Sequence, residues 1–77
     1  MPFMHRIYYD PQFGPDAERY GLGVNGAIRD MAPISDQLRD GLRVTLYTPD
    51  LPDVEATLEF DHVWGWTARP TKGEADA

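Results

Sequence analysis

Three glycines, a run of carboxylates and two histidines are the residues whose types and spacing could do chemistry in this chain. Gly21, Gly23 and Gly26, in the stretch GLGVNG, stand in the order G-x-G-x-x-G. That spacing suits a loop whose backbone amides hold a pyrophosphate at a helix N-terminus. Such a loop needs an apolar strand before it, a helix after it and an acidic residue about 20 positions on. A short helix over residues 27–32 and the carboxylate of Asp50 meet the second and third needs in part. The first fails: residues 15–20 read PDAERY and cannot build a buried central strand. The three glycines are therefore expected to take positive φ in turns of a long loop. Binding of a nucleotide or another small ligand by the 21–26 loop stands as the alternative.

The carboxylates Asp50, Asp53, Glu55, Glu59 and Asp61 could form a catalytic pair or an oxygen-ligand metal site. Glycoside hydrolysis needs two carboxylates flanking a cleft, whereas Glu55 and Glu59 alternate with apolar residues and so share a wet strand face. The order D-L-P-D at residues 50–53 lacks the ligand density and the glycine of a calcium loop. His5 and His62 are the only imidazoles, and there is no cysteine, so any transition-metal site would have to be completed by carboxylates. Ser35, the only serine, sits in a polar turn without the small-residue surroundings of a nucleophile. No assembled nucleophile, base and oxyanion set emerges, so the expectation is a protein that is not an enzyme, with no cofactor and no metal.

The charge balance narrows the partners. Thirteen acidic residues face seven basic ones, for a net charge of −6, and the single lysine is Lys72. Duplex binding needs clustered cations, and the arginines here are dispersed, so nucleic acid is not expected. The acidic balance suits a basic partner. No stretch approaches the roughly 18 apolar residues of a membrane span, and the N-terminus lacks the apolar run of a secretory leader. The expected setting is cytoplasmic.

The aromatics carry the functional expectation. Tyr8 precedes Tyr9 and Asp10, Tyr47 falls on the outward face of a strand, and Trp64 and Trp66 flank Gly65. If Gly65 keeps the pleat, both indoles project to one face; if it sits in a bulge, they diverge. Rings of this kind beside acidic loops can receive an arginine-containing or proline-rich peptide. Tyr8, Tyr47, Trp64 and Trp66 are the candidate contacts of a non-catalytic protein-protein interaction module. Such a chain is expected as a monomer or weak homodimer. The opposing expectation is that Tyr9, Phe60 and at least one tryptophan make the core, because 77 residues bury only roughly 60% of their unfolded surface.

The elements that must position these residues read best in the second half. Val54, Ala56, Leu58 and Phe60 alternate with Glu55, Thr57, Glu59 and Asp61, the period of a half-buried strand. Leu42, Val44 and Leu46 alternate likewise over residues 42–48. Residues 49–53, PDLPD, are expected as a hairpin loop of about five residues. Residues 63–69 complete a three-stranded meander that Pro70 ends.

In the first half, residues 4–9 form an expected strand and residues 20–24 a short extended piece. Residues 27–32 form a helical turn capped by Asn25 and stopped by Pro33. Residues 35–40 form either a further turn, with Ser35 as cap and Gly41 as left-handed exit, or a strand end followed by a tight turn at RDGL. The expected fold is mainly β: a small antiparallel SH3-like barrel of about five strands with a short helical turn. The alternative is an α+β roll, a three- or four-stranded antiparallel sheet with one helix. Residues 1–70 form the single domain and residues 71–77 a disordered tail.

Overall fold

The computed structural model describes residues 5–71. Five strands, β1 (His5–Tyr8), β2 (Tyr20–Gly21), β3 (Arg43–Thr48), β4 (Leu51–Asp61) and β5 (Gly65–Pro70), make one sheet in the order β1-β3-β4-β5-β2. Helix α1 (Asn25–Met31) and a 3-10 segment (Ala32–Gln37) lie between β2 and β3. The protein is mainly β, as its alternating runs indicate.

Two features differ from the expected antiparallel barrel. β1 pairs with β3 in parallel, with His5 opposite Val44 and Tyr8 opposite Tyr47, whereas the other three pairings are antiparallel. The sheet is also open, because β1 and β2 occupy its two opposite borders. Both follow from the path of the chain. After β1 it crosses to the far border for β2 and returns through α1, a crossover that delivers β3 beside β1 in the same direction.

The meander β3-β4-β5 keeps the register that the alternation demands from Arg43 to Leu46, and the β3-β4 pairing shifts by one residue between Leu46 and Thr48. Its first turn is tighter than the five residues expected: only Pro49 and Asp50 separate β3 from β4, and Thr48 pairs with Leu51. Pro52 fits inside β4 because β5 pairs with β4 only from Ala56 onward, which leaves that side of the strand free. β5 begins at Gly65 rather than at residue 63 and continues through Pro70. Thr71 extends the ladder by donating its N–H to the Glu55 carbonyl at 2.9 Å. The remainder of the expected tail, residues 72–77, lies outside the described residues.

One face of the sheet is the core. Ile7, Val44, Leu46, Ala56, Leu58 and Ala68 line it, and Leu22, Ala27 and Met31 cover it. Burying a leucine or isoleucine side chain stabilises by about 1.5–3 kcal/mol, so this layer is the main favourable contribution. Tyr9 joins it with 2% of its surface exposed, its ring 4.8 Å from that of Tyr20. Burial raises the Tyr9 phenol above its ordinary pKa, and the nearby Tyr20 and Asp53 push the same way.

Helix α1 has seven residues, too few to stand alone in water. Its cap position is Val24, with no side-chain capping bond, and Asn25 lies inside the helix instead of capping it. Packing of Ala27 and Met31 holds the helix in place. The chain then tightens into the 3-10 segment at Pro33, and Ile34 bends it with φ −115° and ψ 23°. The tight turn at residues 39–42 is present: Leu42 donates to the Arg39 carbonyl at 3.1 Å, and Gly41 takes φ +90° at the third turn position, where glycine is required.

Candidate binding surface

Tyr8, Tyr47, Trp64 and Trp66 occupy three separate places. Tyr8 and Tyr47 are register partners on the sheet face opposite the core, edge to face with centroids 6.0 Å apart. Helix α1 straddles the β1 border beside them. Ala27 and Met31 turn into the core, while Gly26 and Asp30, on the adjoining stripe, reach round to the tyrosines. The Asp30 carboxylate accepts the Tyr8 backbone N–H at 2.9 Å and the Tyr47 hydroxyl at 2.8 Å. The guanidinium of Arg6 lies 4.8 Å over the Tyr47 ring. The bond to Asp30 raises the Tyr47 phenol above its ordinary pKa, with burial and the Asp30 charge adding, while Arg6 and Arg29 oppose them.

The two tryptophans are on opposite faces. Residues 62–64 turn the chain from β4 to β5, and Gly65 takes φ +75° where it opposes Asp61, so the pleat is broken between the indoles. Trp66 packs on the edge of the core and meets Phe60 edge to face at 5.2 Å. Trp64 meets Phe13 at 5.0 Å on the other face. Between them at the apex stands Val63, 86% exposed, and Phe60 is 57% exposed.

Gly21 explains part of the glycine spacing. A Cβ there would lie 2.9 Å from the Trp64 ring and 3.0 Å from the Phe13 ring. At Gly26 a Cβ would meet the Tyr8 ring at 2.7 Å. These glycines admit rings rather than supply positive φ: among the described residues only Gly41 and Gly65 take it. The amides of the loop are also engaged. Gly21 donates to the Phe13 carbonyl at 2.8 Å and Leu22 to the Trp66 carbonyl at 3.0 Å.

The turn at the apex is held from beneath. One oxygen of Asp61 accepts the N–H groups of Val63 and Trp64 at 2.7 and 2.9 Å, and the other accepts Arg19 at 3.3 Å. Arg19 is tied in turn to Asp16 at 3.0 Å and approaches Glu59 at 3.9 Å. Its neighbour Arg69 pairs with Glu59 at 2.7 Å and Glu18 at 3.2 Å. The two turn amides, with Arg19 behind them, hold the Asp61 carboxyl below the usual aspartate range. The Glu18 amide and Arg19 do the same for Asp16.

The remaining candidates stay apart. Glu55 pairs with Arg43 at 3.3 Å across the wet face, Asp53 lies 3.6 Å from Arg6, and His62 is exposed in the turn. No three histidine or carboxylate side chains of the described residues converge as metal ligands. No helix of the described residues is long and apolar enough to cross a membrane.

Phe60, Val63 and Phe13 are the surface residues that the sequence reading does not reach. Alternation assigns Phe60 to the core face, and it is on that face. However, β3 pairs with β4 only as far as Arg43 opposite Thr57, so the Phe60 end of β4 has no strand on that side. On that side the Asp40 carboxylate accepts the Phe60 N–H at 2.7 Å, while Trp66 of β5 opposes Phe60 on the other side. No protein-family model, curated protein or solved structure matches this chain.

Proposed function

We propose that the chain is a non-catalytic protein-protein interaction module and that its contact surface is the β4-β5 hairpin end. The observation that carries this reading is the exposure of Val63 and Phe60 within four residues at one hairpin end, the Phe60 ring meeting Trp66, whereas the other exposed large apolar side chains of the described residues, Ile28 and Leu51, stand on separate elements. Exposed apolar residues that cluster, rather than scatter singly, mark contact sites. The partner is a protein or peptide, basic or proline-rich in character, met by a monomer or weak homodimer in the cytoplasm. Nucleic acid is disfavoured, because Arg6, Arg19, Arg43 and Arg69 are all paired with carboxylates.

The test is affinity capture from the native lysate with quantitative mass spectrometry. A Phe60→Ser, Val63→Ser double variant should lose a partner that wild type enriches, and Tyr47→Phe should keep it. Retention by the double variant would move the surface elsewhere. The nucleotide reading of the 21–26 loop has less support, since two of its amides already donate to backbone carbonyls, of Phe13 and Trp66. Movement of the Gly21, Gly23 and Gly26 amide resonances on nucleotide titration would restore it.

A further inference from the structure

The β4-β5 hairpin ends in a turn with a ring pair on either side of it. Val63 stands at the apex, and the Phe60–Trp66 and Phe13–Trp64 pairs lie on opposite flanks, so the rings share no groove that could receive a peptide. The turn is also fixed before any partner arrives, since one Asp61 oxygen holds two successive backbone amides. A surface ordered in advance loses less freedom on binding. Around this apex the charges do not cancel. On the Trp64 face Asp16, Glu18, Glu59 and Asp61 share only Arg19 and Arg69, four carboxylates to two guanidiniums. At the sheet edge beside Phe60, Asp40 adds a further carboxylate.

Resting on the interaction-module reading, we infer that the hairpin end is a knob that inserts into an apolar cleft of a partner protein, bordered by lysine or arginine. The apex supplies the desolvated centre of such an interface and the acidic collar its rim, which steers encounter more than it adds affinity. A second copy of this chain fits less well, because two such collars would repel.

The test places a photoreactive benzoylphenylalanine at position 63 of the full chain, and in separate samples at positions 51 and 47, and irradiates cells of the native host. Leu51 is exposed on the opposite hairpin, and Tyr47 lies at the β1 border. The expected result is an adduct from position 63 alone, whose cross-linked peptide lines an apolar cleft edged by basic residues. Glu18→Lys, a change on a side chain 77% exposed, should lower the association rate of the purified pair at low salt by on the order of tenfold, with little effect at high salt. An adduct with a second copy, an adduct from position 63 on a cleft without basic residues, or indifference to Glu18→Lys would each overturn the knob. An adduct from position 51 or 47 and not from 63 would overturn this surface while leaving a binding module in place. No adduct from any of the three would overturn the module itself.

Discussion

The β1 border and the β4-β5 end each gather aromatic rings beside carboxylates, and they use them differently. At the border, one carboxylate of α1 engages both the Tyr47 hydroxyl and the Tyr8 backbone N–H. The rings there are fastened, and the polar groups that could meet a ligand are spent on holding helix to sheet. At the hairpin end, the carboxylate of Asp61 fastens the backbone of the turn and leaves its side chains out. Val63 then faces solvent, and Phe60 stays more than half exposed although its ring meets Trp66. Residue type therefore separates the two regions less well than what the neighbouring acid holds, a side chain in one place and a main chain in the other.

Removing Asp30 should break the first region. Asp30→Ala deprives two donors of their shared acceptor, and a half-buried donor left unpaired costs roughly 1–3 kcal/mol. We expect a loss of about 2 kcal/mol in urea unfolding. A change within noise would mean that the tyrosine border is not fastened after all.

A smaller effect is expected from acid at the second region. The Asp61 carboxyl is more acidic folded than unfolded, so its contribution is present above the ordinary aspartate value of 3.8 and disappears as pH falls through its depressed folded value. Asp61→Asn should flatten that part of the stability-pH profile. The wild-type curve should also carry an ionic-strength dependence that the variant lacks. Superimposable profiles would show that the turn does not rely on this charge.

The smallest expected effect is that of Phe60→Ser with Val63→Ser on stability, within about 0.5 kcal/mol, as for exposed positions in general. Thermal unfolding checks it. A loss of several times that size would make these rings part of the core and remove the contrast between the two regions.

The meander was legible because its signals are local. Residues 42–48 and 54–61 alternate cleanly, and alternation assigns every side chain to a face. The direction and neighbour of β1 were not legible, since four residues pair in parallel with a strand far along the chain and nothing in HRIY records that. The glycine spacing misled for a related reason. Gly21 and Gly26 are small because rings from distant positions approach them, a requirement that the local sequence does not display. At the candidate site, Trp64 and Trp66 could be named, and a bulge at Gly65 could be entertained. The exposure of Phe60 depends on β4 running past its pairing with β3, a length known only when all the elements are assembled.

The parallel pairing of β1 also sets an order in time. During synthesis β1 leaves the ribosome first, yet its hydrogen-bonding neighbour β3 emerges only after β2, α1 and the 3-10 segment have been made. β1 thus stays unpaired with β3 until the 34 residues between the two strands have been made. Closing that long loop also costs more chain entropy than forming either hairpin. The contiguous β3-β4-β5 unit is the first part able to assemble, and the N-terminal strand is added to a sheet that already exists.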